Sequence, residues 1–312
     1  MSSFIDQKKS GRAPLWLYFS MMVLLSGLLS ACEDEVNPFI GTELPFTVWG
    51  TINPVADTQA VRVFSIDEVL KLISPDPLDA TVSIINVDDN SRYVLQDSVI
   101  QLPNGDFRHI YWAEFDVEYF ETYRLEVEKS DGQMTNSAEI QVPGPISLNV
   151  LPANTNAFTE LIQPLWIGGN PPAIPRIDVT YNSFSVNMVG VKIADNPVTV
   201  SYSAKPKVIA DTLRLDLDIR QDFLLVREDF NNKEIGGSIC IENITVDVHV
   251  GNQEWQSPTG VFDANILVEP GTFTNIENGF GFFGAGYIER LTVNPPSILL
   301  VRAGFFDCNA QG

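Results

Sequence analysis

Two histidines, His109 and His249, are the chain's whole supply of imidazole. Imidazole is the side chain best suited to moving protons near neutral pH, so a Ser/His/Asp site or a His-ligated zinc would have to use one of these two. His109 sits inside an aromatic run, and His249 closes the polar face of the alternating segment 244–250. Neither has a recognisable partner beside it, there is no His-Glu-x-x-His, and two histidines so far apart do not suggest zinc. A Gly-x-Ser-x-Gly elbow is missing; Gly236-Gly237-Ser238 comes nearest, and it lies between strand patterns, not ahead of a helix. Asp76 with Asp79, or Asp88 with Asp89, could meet calcium at a loop, but neither pair has the alternating oxygen spacing of an EF-hand. No glycine-rich loop follows a strand and opens a helix, which argues against a nucleotide cofactor. The residues therefore predict no catalytic constellation, no metal and no cofactor.

The three cysteines carry more information. Lys8, Lys9 and Arg12 precede an apolar stretch over residues 15–29, which ends in Leu29-Ser30-Ala31-Cys32 and then Glu33-Asp34-Glu35. A basic start, a short apolar run and small residues before a cut make a secretory signal. The run is shorter than the roughly 20 residues that span a bilayer. Leu-Ser-Ala-Cys resembles the lipobox of bacterial lipoproteins, in which the cysteine is acylated once residues 1–31 are removed. Two or three acyl chains on Cys32 would anchor the protein durably without a spanning helix. The acidic triplet after it resembles the signal that sends Bacteroidota lipoproteins to the outer face of the outer membrane. Cys240 and Cys308 remain, and in an oxidising envelope a disulfide between them and two separate buried thiols both fit. Two isolated cysteines are no metal signature.

The chain has 40 acidic and 19 basic residues, a net charge of −21 at pH 7. Removing residues 1–31 takes away three cations and one anion, making the remainder more acidic still. That balance excludes nucleic acid as a partner, since binding there rests on neutralising phosphates. It equally disfavours basic-patch adhesion to anionic lipid headgroups, and its simplest consequence is solubility.

The elements that must position these residues are strands. Residues 32–45 contain Pro38, Gly41 and Pro45 without a period and read as a tether. From Phe46 the pattern is β: segments 46–52, 60–64, 80–84, 91–95, 109–115, 123–128 and 135–142 are short, alternating and separated by turn residues, with Asp131-Gly132 a hairpin signal. Ser65 to Glu68 has capping-box spacing ahead of a helical turn at 69–73. Val142-Pro143-Gly144-Pro145 marks a boundary. Beyond it, 179–186, 212–219 and 244–250 alternate, and 223–230 and 297–302 are further strand candidates; no amphipathic helix longer than about two turns is expected. The prediction is an all-β chain of two β-sandwich-like domains, 46–142 and 146–312, behind a lipoprotein signal peptide and a short tether.

Two segments stand apart. Residues 152–176 hold five prolines, Trp166 and Gly168-Gly169 and read as a long irregular excursion. Such loops carry binding function, with Trp166 as a ligand contact, or else Trp166 packs a domain interface. Residues 274–287 interleave glycines with aromatics around Asn278-Gly279. That spacing allows close backbone approach and reads as a buried glycine–aromatic corner before a ligand platform.

The order of lipobox, β half, proline boundary, second β half and Asn275-Ile276-Glu277-Asn278-Gly279-Phe280-Gly281-Phe282-Phe283-Gly284 resembles a family of uncharacterised Bacteroidota outer-membrane lipoproteins encoded near SusC-type TonB-dependent transporters. In that pattern Asn275, Asn278, Gly279, Gly281, Phe283 and Gly284 are the matching positions. The first half resembles the transthyretin-like or carboxypeptidase-regulatory-like sandwich, with residues 123–132 fitting its last hairpin. The resemblance supplies no catalytic residues. It implies a non-catalytic accessory on the cell surface, anchored through Cys32 and associated with a TonB-dependent outer-membrane transporter, its ligand unspecified. A structural or adhesive spacer and an envelope hydrolase with a site outside known motifs are the alternatives.

Overall fold

The computed structural model describes residues 44–65, 75–103, 105, 107–156, 159–202, 206–209, 212–255 and 274–308. The signal, Cys32, most of the tether and the helical turn expected at 69–73 fall outside the described residues. No helix among the described residues is long and apolar enough to cross a membrane.

Among the described residues strands dominate, as the alternation predicts, at 55% against 10% helix. In chain order the first are β1 (Phe46–Ile52), β2 (Thr58–Ser65), β3 (Thr81–Asn86), β4 (Arg92–Val94), β5 (Gln96–Gln101), β6 (Phe107–Glu114), β7 (Thr122–Glu128), β8 (Met134–Ser137) and β9 (Ile140–Gln141). Then come β10 (Ser147–Val150), β11 (Ile162–Gly168), β12 (Ala173–Val186), β13 (Lys192–Asp195), β14 (Val198–Tyr202), β15 (Lys207–Ile209) and β16 (Thr212–Asp218). After helix α1 (Ile219–Asn232) follow β17 (Ser238–Gly251), β18 (Ile276–Glu277), β19 (Gly279–Val293) and helix α2 (Ser297–Ala303).

Among the described residues these make three sheets. One has nine strands in the order β13-β12-β17-β19-β1-β2-β6-β5, with β14 also on β12. A second runs β18-β8-β7-β3-β4, with β9 on β7, and a third runs β10-β11-β16-β15. Two apolar cores result. The first gathers Val48, Val63, Ile84, Leu125 and Val127 with Ile276, Phe283 and Ala285 from far along the chain. The second gathers Ile167, Val179, Leu217, Val226, Ile244 and Val248.

β19 serves both. Its first seven residues pair in parallel with β1, from Phe46↔Gly279 to Ile52↔Ala285. From Gly286 to Val293 it pairs antiparallel with β17 instead. A strand of 15 residues spans roughly 50 Å, so one continuous strand joins the two halves. The proline boundary is tied to it: Tyr287 Oη donates to the Gly144 carbonyl and accepts from the Ile146 N–H, each at 2.9 Å.

Three expectations need correction. Residues 223–230 lie in α1, not in a strand, and residues 297–302 lie in α2. α1 has 14 residues, longer than the two turns expected. Its N-cap Asp218 accepts from the N–H groups of Arg220 and Gln221, and Ile219, Asp222, Val226 and Phe230 fall at helical spacing on its buried side. α2 stops at Gly304, in the positive-φ conformation glycine favours at a helix end. The 152–176 excursion, too, is in part strand: it contains β11 and the start of β12. Pro164 is tolerated inside β11 because β10 has ended at the Val150↔Leu165 pair. The Gln163 side-chain amide donates to the Leu151 carbonyl at 2.8 Å, which stands in for the N–H that proline lacks.

Candidate binding site

The histidines lie apart, each on its own carboxylate. His109, on β6, is buried with Nδ1 2.9 Å from Asp97 of β5. His249, on the outer face of β17, has Nε2 3.2 Å from Asp178. Asp178 also accepts from Ser201 Oγ at 2.6 Å and pairs with Arg176. Serine, aspartate and histidine do meet here, but the hydroxyl donates to the carboxylate and not to the imidazole. No base is aligned on it, and this is not a nucleophile's geometry. The acidic pairs are turn braces. Asp79 accepts from Ser130, Asp88 from the Thr122 N–H and Asp89 from the Ser91 N–H. Among the described residues no three His, Cys, Asp or Glu side chains converge as metal ligands.

The segment from Asn275 to Gly284 builds the turn into β19. The Asn275 amide donates to the Phe283 carbonyl at 2.6 Å and accepts from its N–H at 2.9 Å, acting as one rung of a ladder. Asn278 takes the left-handed turn at φ 54, and its carbonyl accepts from Thr135 Oγ1. A Cβ on Gly281 would lie 1.8 Å from the Val48 carbonyl oxygen, and one on Gly279 would lie 2.7 Å from that of Phe46. The glycines let β1 and β19 close, while Phe283 fills the first core. Trp166 sits half-buried on the outer face of β11, across from Asn149 and Arg214.

A buried acid lies at the start of α1. Asp222, 3% exposed, accepts from the hydroxyls of both Tyr181 and Tyr202. Burial raises its pKa, the two hydroxyl bonds oppose that, and the charge of Asp218 adds to the rise. The folded state therefore prefers the protonated form. Stability from this group is full below its ordinary value near 3.8 and is lost as pH rises through the raised folded value. In denaturant melts from pH 4 upward, wild type should lose stability relative to Asp222→Asn as pH rises. A wild-type-minus-variant difference that stays flat with pH would rule this out.

The second core ends in a pole where apolar groups meet solvent. Between β12 and β13 a tight turn presents Met188, Val189 and Val191, and Ile193 follows just inside β13; all four are strongly exposed. The turn is stiff: Asn187 Oδ1 accepts from the N–H groups of Val189 and Val191 at 3.0 and 2.9 Å. Beside it opens a cleft of about 320 Å³ between α1, the start of β17 and the arm after α2. Phe223, Phe230, Phe305 and Phe306 line it, with Arg227, Asn231 and Ser238. Phe223 meets Phe305 edge-to-face at 4.8 Å. Gly304 makes that possible, since a Cβ there would lie 2.4 Å from the Phe223 ring. The arm is held by the Phe306 N–H donating to the Ile239 carbonyl and by a disulfide between Cys240 and Cys308, Cα atoms 6.0 Å apart. Sequence reasoning missed the cleft. Phe223, Arg227 and Asn231 recur every four residues, a helical spacing that was the available signal.

No curated protein matches the chain. Among solved structures, the crystal structures of pullulanase from Anoxybacillus sp. LM18-11, with and without maltotriose, are similar at 9% identity and a TM-score of 0.21. The match covers 66% and 71% of this chain, and the chain spans only 24% and 28% of the pullulanases. A TM-score of 0.21 is too low to relate the folds. A family described as "Domain of unknown function (DUF4249)" matches residues 33–234, ending between α1 and β17 and short of the Asn275–Gly284 segment. With well over half its length matched, the chain belongs to this family of domains of unknown function.

Proposed function

We propose that the protein is a non-catalytic lipoprotein on the cell surface, anchored in the outer membrane through acylated Cys32, and that it docks as an accessory on a TonB-dependent transporter. The observation that carries this reading is the stiff apolar turn at Met188–Ile193. Single exposed apolar residues are ordinary, but four together on a braced turn make a patch suited to a protein partner. Its position supports the same reading. Phe46, where the chain enters the folded body, lies at the Gly279 end of β19, whereas the turn lies beyond the Val293 end, roughly 60 Å away along the strand path.

In gentle detergent extracts of outer membrane, the wild-type chain should co-purify with a large β-barrel. The double change Met188→Asp and Val191→Asp should cut its recovery at least tenfold while the melting temperature stays unchanged. Equal recovery with the double variant would refute docking through the turn. Recovery of the wild-type chain alone would favour a second reading, a surface spacer, which the end-to-end continuity of β19 supports.

A further inference from the structure

We propose that the cleft between α1 and the C-terminal arm binds a small amphiphilic carboxylate, with its apolar body among Phe223, Phe305 and Phe306 and its carboxylate on Arg227. The site adjoins the apolar turn at Gly237 but does not depend on the docking proposed above.

Four observations converge on this ligand chemistry. First, the size fits a small molecule: 320 Å³ is the room of about ten water-sized units at roughly 30 Å³ each, and small-ligand clefts begin near this volume. Second, the walls are aromatic. The rings of Phe223 and Phe305 form an edge-to-face corner, and Phe305 is backed by the Tyr181 ring, with centroids 6.1 Å apart. Aromatic walls held by their neighbours offer contact area at little entropic cost.

Third, Arg227 is the one cation among the described residues that line the cleft. Among the described residues no carboxylate pairs with Arg227, in a chain whose acids outnumber its bases two to one. Its helix neighbours three and four residues away are Phe223, Leu224, Phe230 and Asn231, none of them acidic. The guanidinium rests 5.6 Å from the centre of the Phe223 ring, at the rim, with a planar fork of donors that suits an incoming anion. Fourth, the cleft is braced where a merely loose surface would not be. Gly237 and Gly304 both line it at positive φ, and a Cβ on Gly237 would lie 2.4 Å from the Val186 carbonyl oxygen. The disulfide fastens the arm that carries Phe305 and Phe306.

The net negative charge slows the approach of any anion. Its reach is limited to about 8 Å at physiological ionic strength. Glu228, the next residue on α1, is exposed to that screening, and Asp229 is already paired with Lys233 at 2.8 Å. A bidentate Arg–carboxylate contact at the edge of an aromatic cleft then fixes the ligand's orientation.

The test uses the full chain in lipid nanodiscs and ligand-observed saturation-transfer NMR, with 3-phenylpropanoate and hexanoate as probes, 3-phenylpropanol as the neutral control and empty discs as blank. At least one carboxylate should give a protein-dependent signal. Arg227→Gln should weaken it tenfold or more, Arg227→Lys should weaken it less, and the alcohol should respond equally to all three proteins. Arg227 is exposed, so the variants should melt with wild type. Absence of signal from both carboxylates, or binding that Arg227→Gln leaves unchanged, would overturn the proposal.

Discussion

Replacing Cys240 and Cys308 together by serine is expected to lower stability by about 4 kcal/mol. The bond joins residues 68 apart, and closing a loop of that size in the unfolded chain costs about this much in the chain-entropy model. For a body of this size the melting temperature should fall by roughly 10 °C. Reductant should shift wild type by the same amount and leave the double-serine variant where it was. The local effect is sharper than the global one. Without the bond, the arm after α2 keeps the Phe306–Ile239 backbone bond and its aromatic contacts, so limited proteolysis should cut near Phe306 before the sheets open. A melting temperature indifferent to reductant would show that the bond does not hold the fold.

Gly281→Ala should be worse. Gly281 sits at φ 109, and its Cβ would lie 1.8 Å from the Val48 carbonyl oxygen, inside the parallel pairing of β1 with β19. The backbone conformation alone costs of order 1–3 kcal/mol. The clash forces β1 off the strand that serves both cores, so the total should exceed about 4 kcal/mol, the exceptional end for a single substitution. Gly132→Ala is the control: φ is 86, yet nothing lies within 4 Å of the added Cβ, and it should lose only the conformational part. Urea midpoints compare the two. Equal midpoints would mean that Val48 and Gly281 are not register partners.

Much of the fold is legible because strand alternation is local. Residues 123–128 announce β7 and residues 212–218 announce β16, since every second side chain must face a core. The same local reading fails at α1 for an identifiable reason. Its buried stripe runs Ile219, Asp222, Val226, Phe230, and a carboxylate in second place breaks the apolar period. That carboxylate is tolerable only because Tyr181 and Tyr202, 41 and 20 residues away, reach it. Leu224-Leu225-Val226 then looks like a strand, although two of the three point to solvent. The apolar turn was not singled out either: the strand read over 179–186 stops just before it, and its exposure depends on β17 pairing no further than the Val186↔Ser238 pair. The cleft joins residues 223–239 to 304–306, a meeting fixed by the disulfide and the helix packing. The Asn275–Gly284 segment was readable as a structural corner, because spaced glycines among large rings have few other uses; which strand they admit was not.

The two-sided pairing of β19 also has a mechanical consequence. Phe46 marks one end of that strand path, and the β12–β13 turn marks the other. Tension between them runs along the strands, not across them. It loads the seven β1–β19 pairs together in shear, so they must yield at once instead of unzipping one after another. It then passes through eight antiparallel pairs into β17 along the same axis. A body so laid out resists tension along its strands, and its first failure under such a load should come at β1.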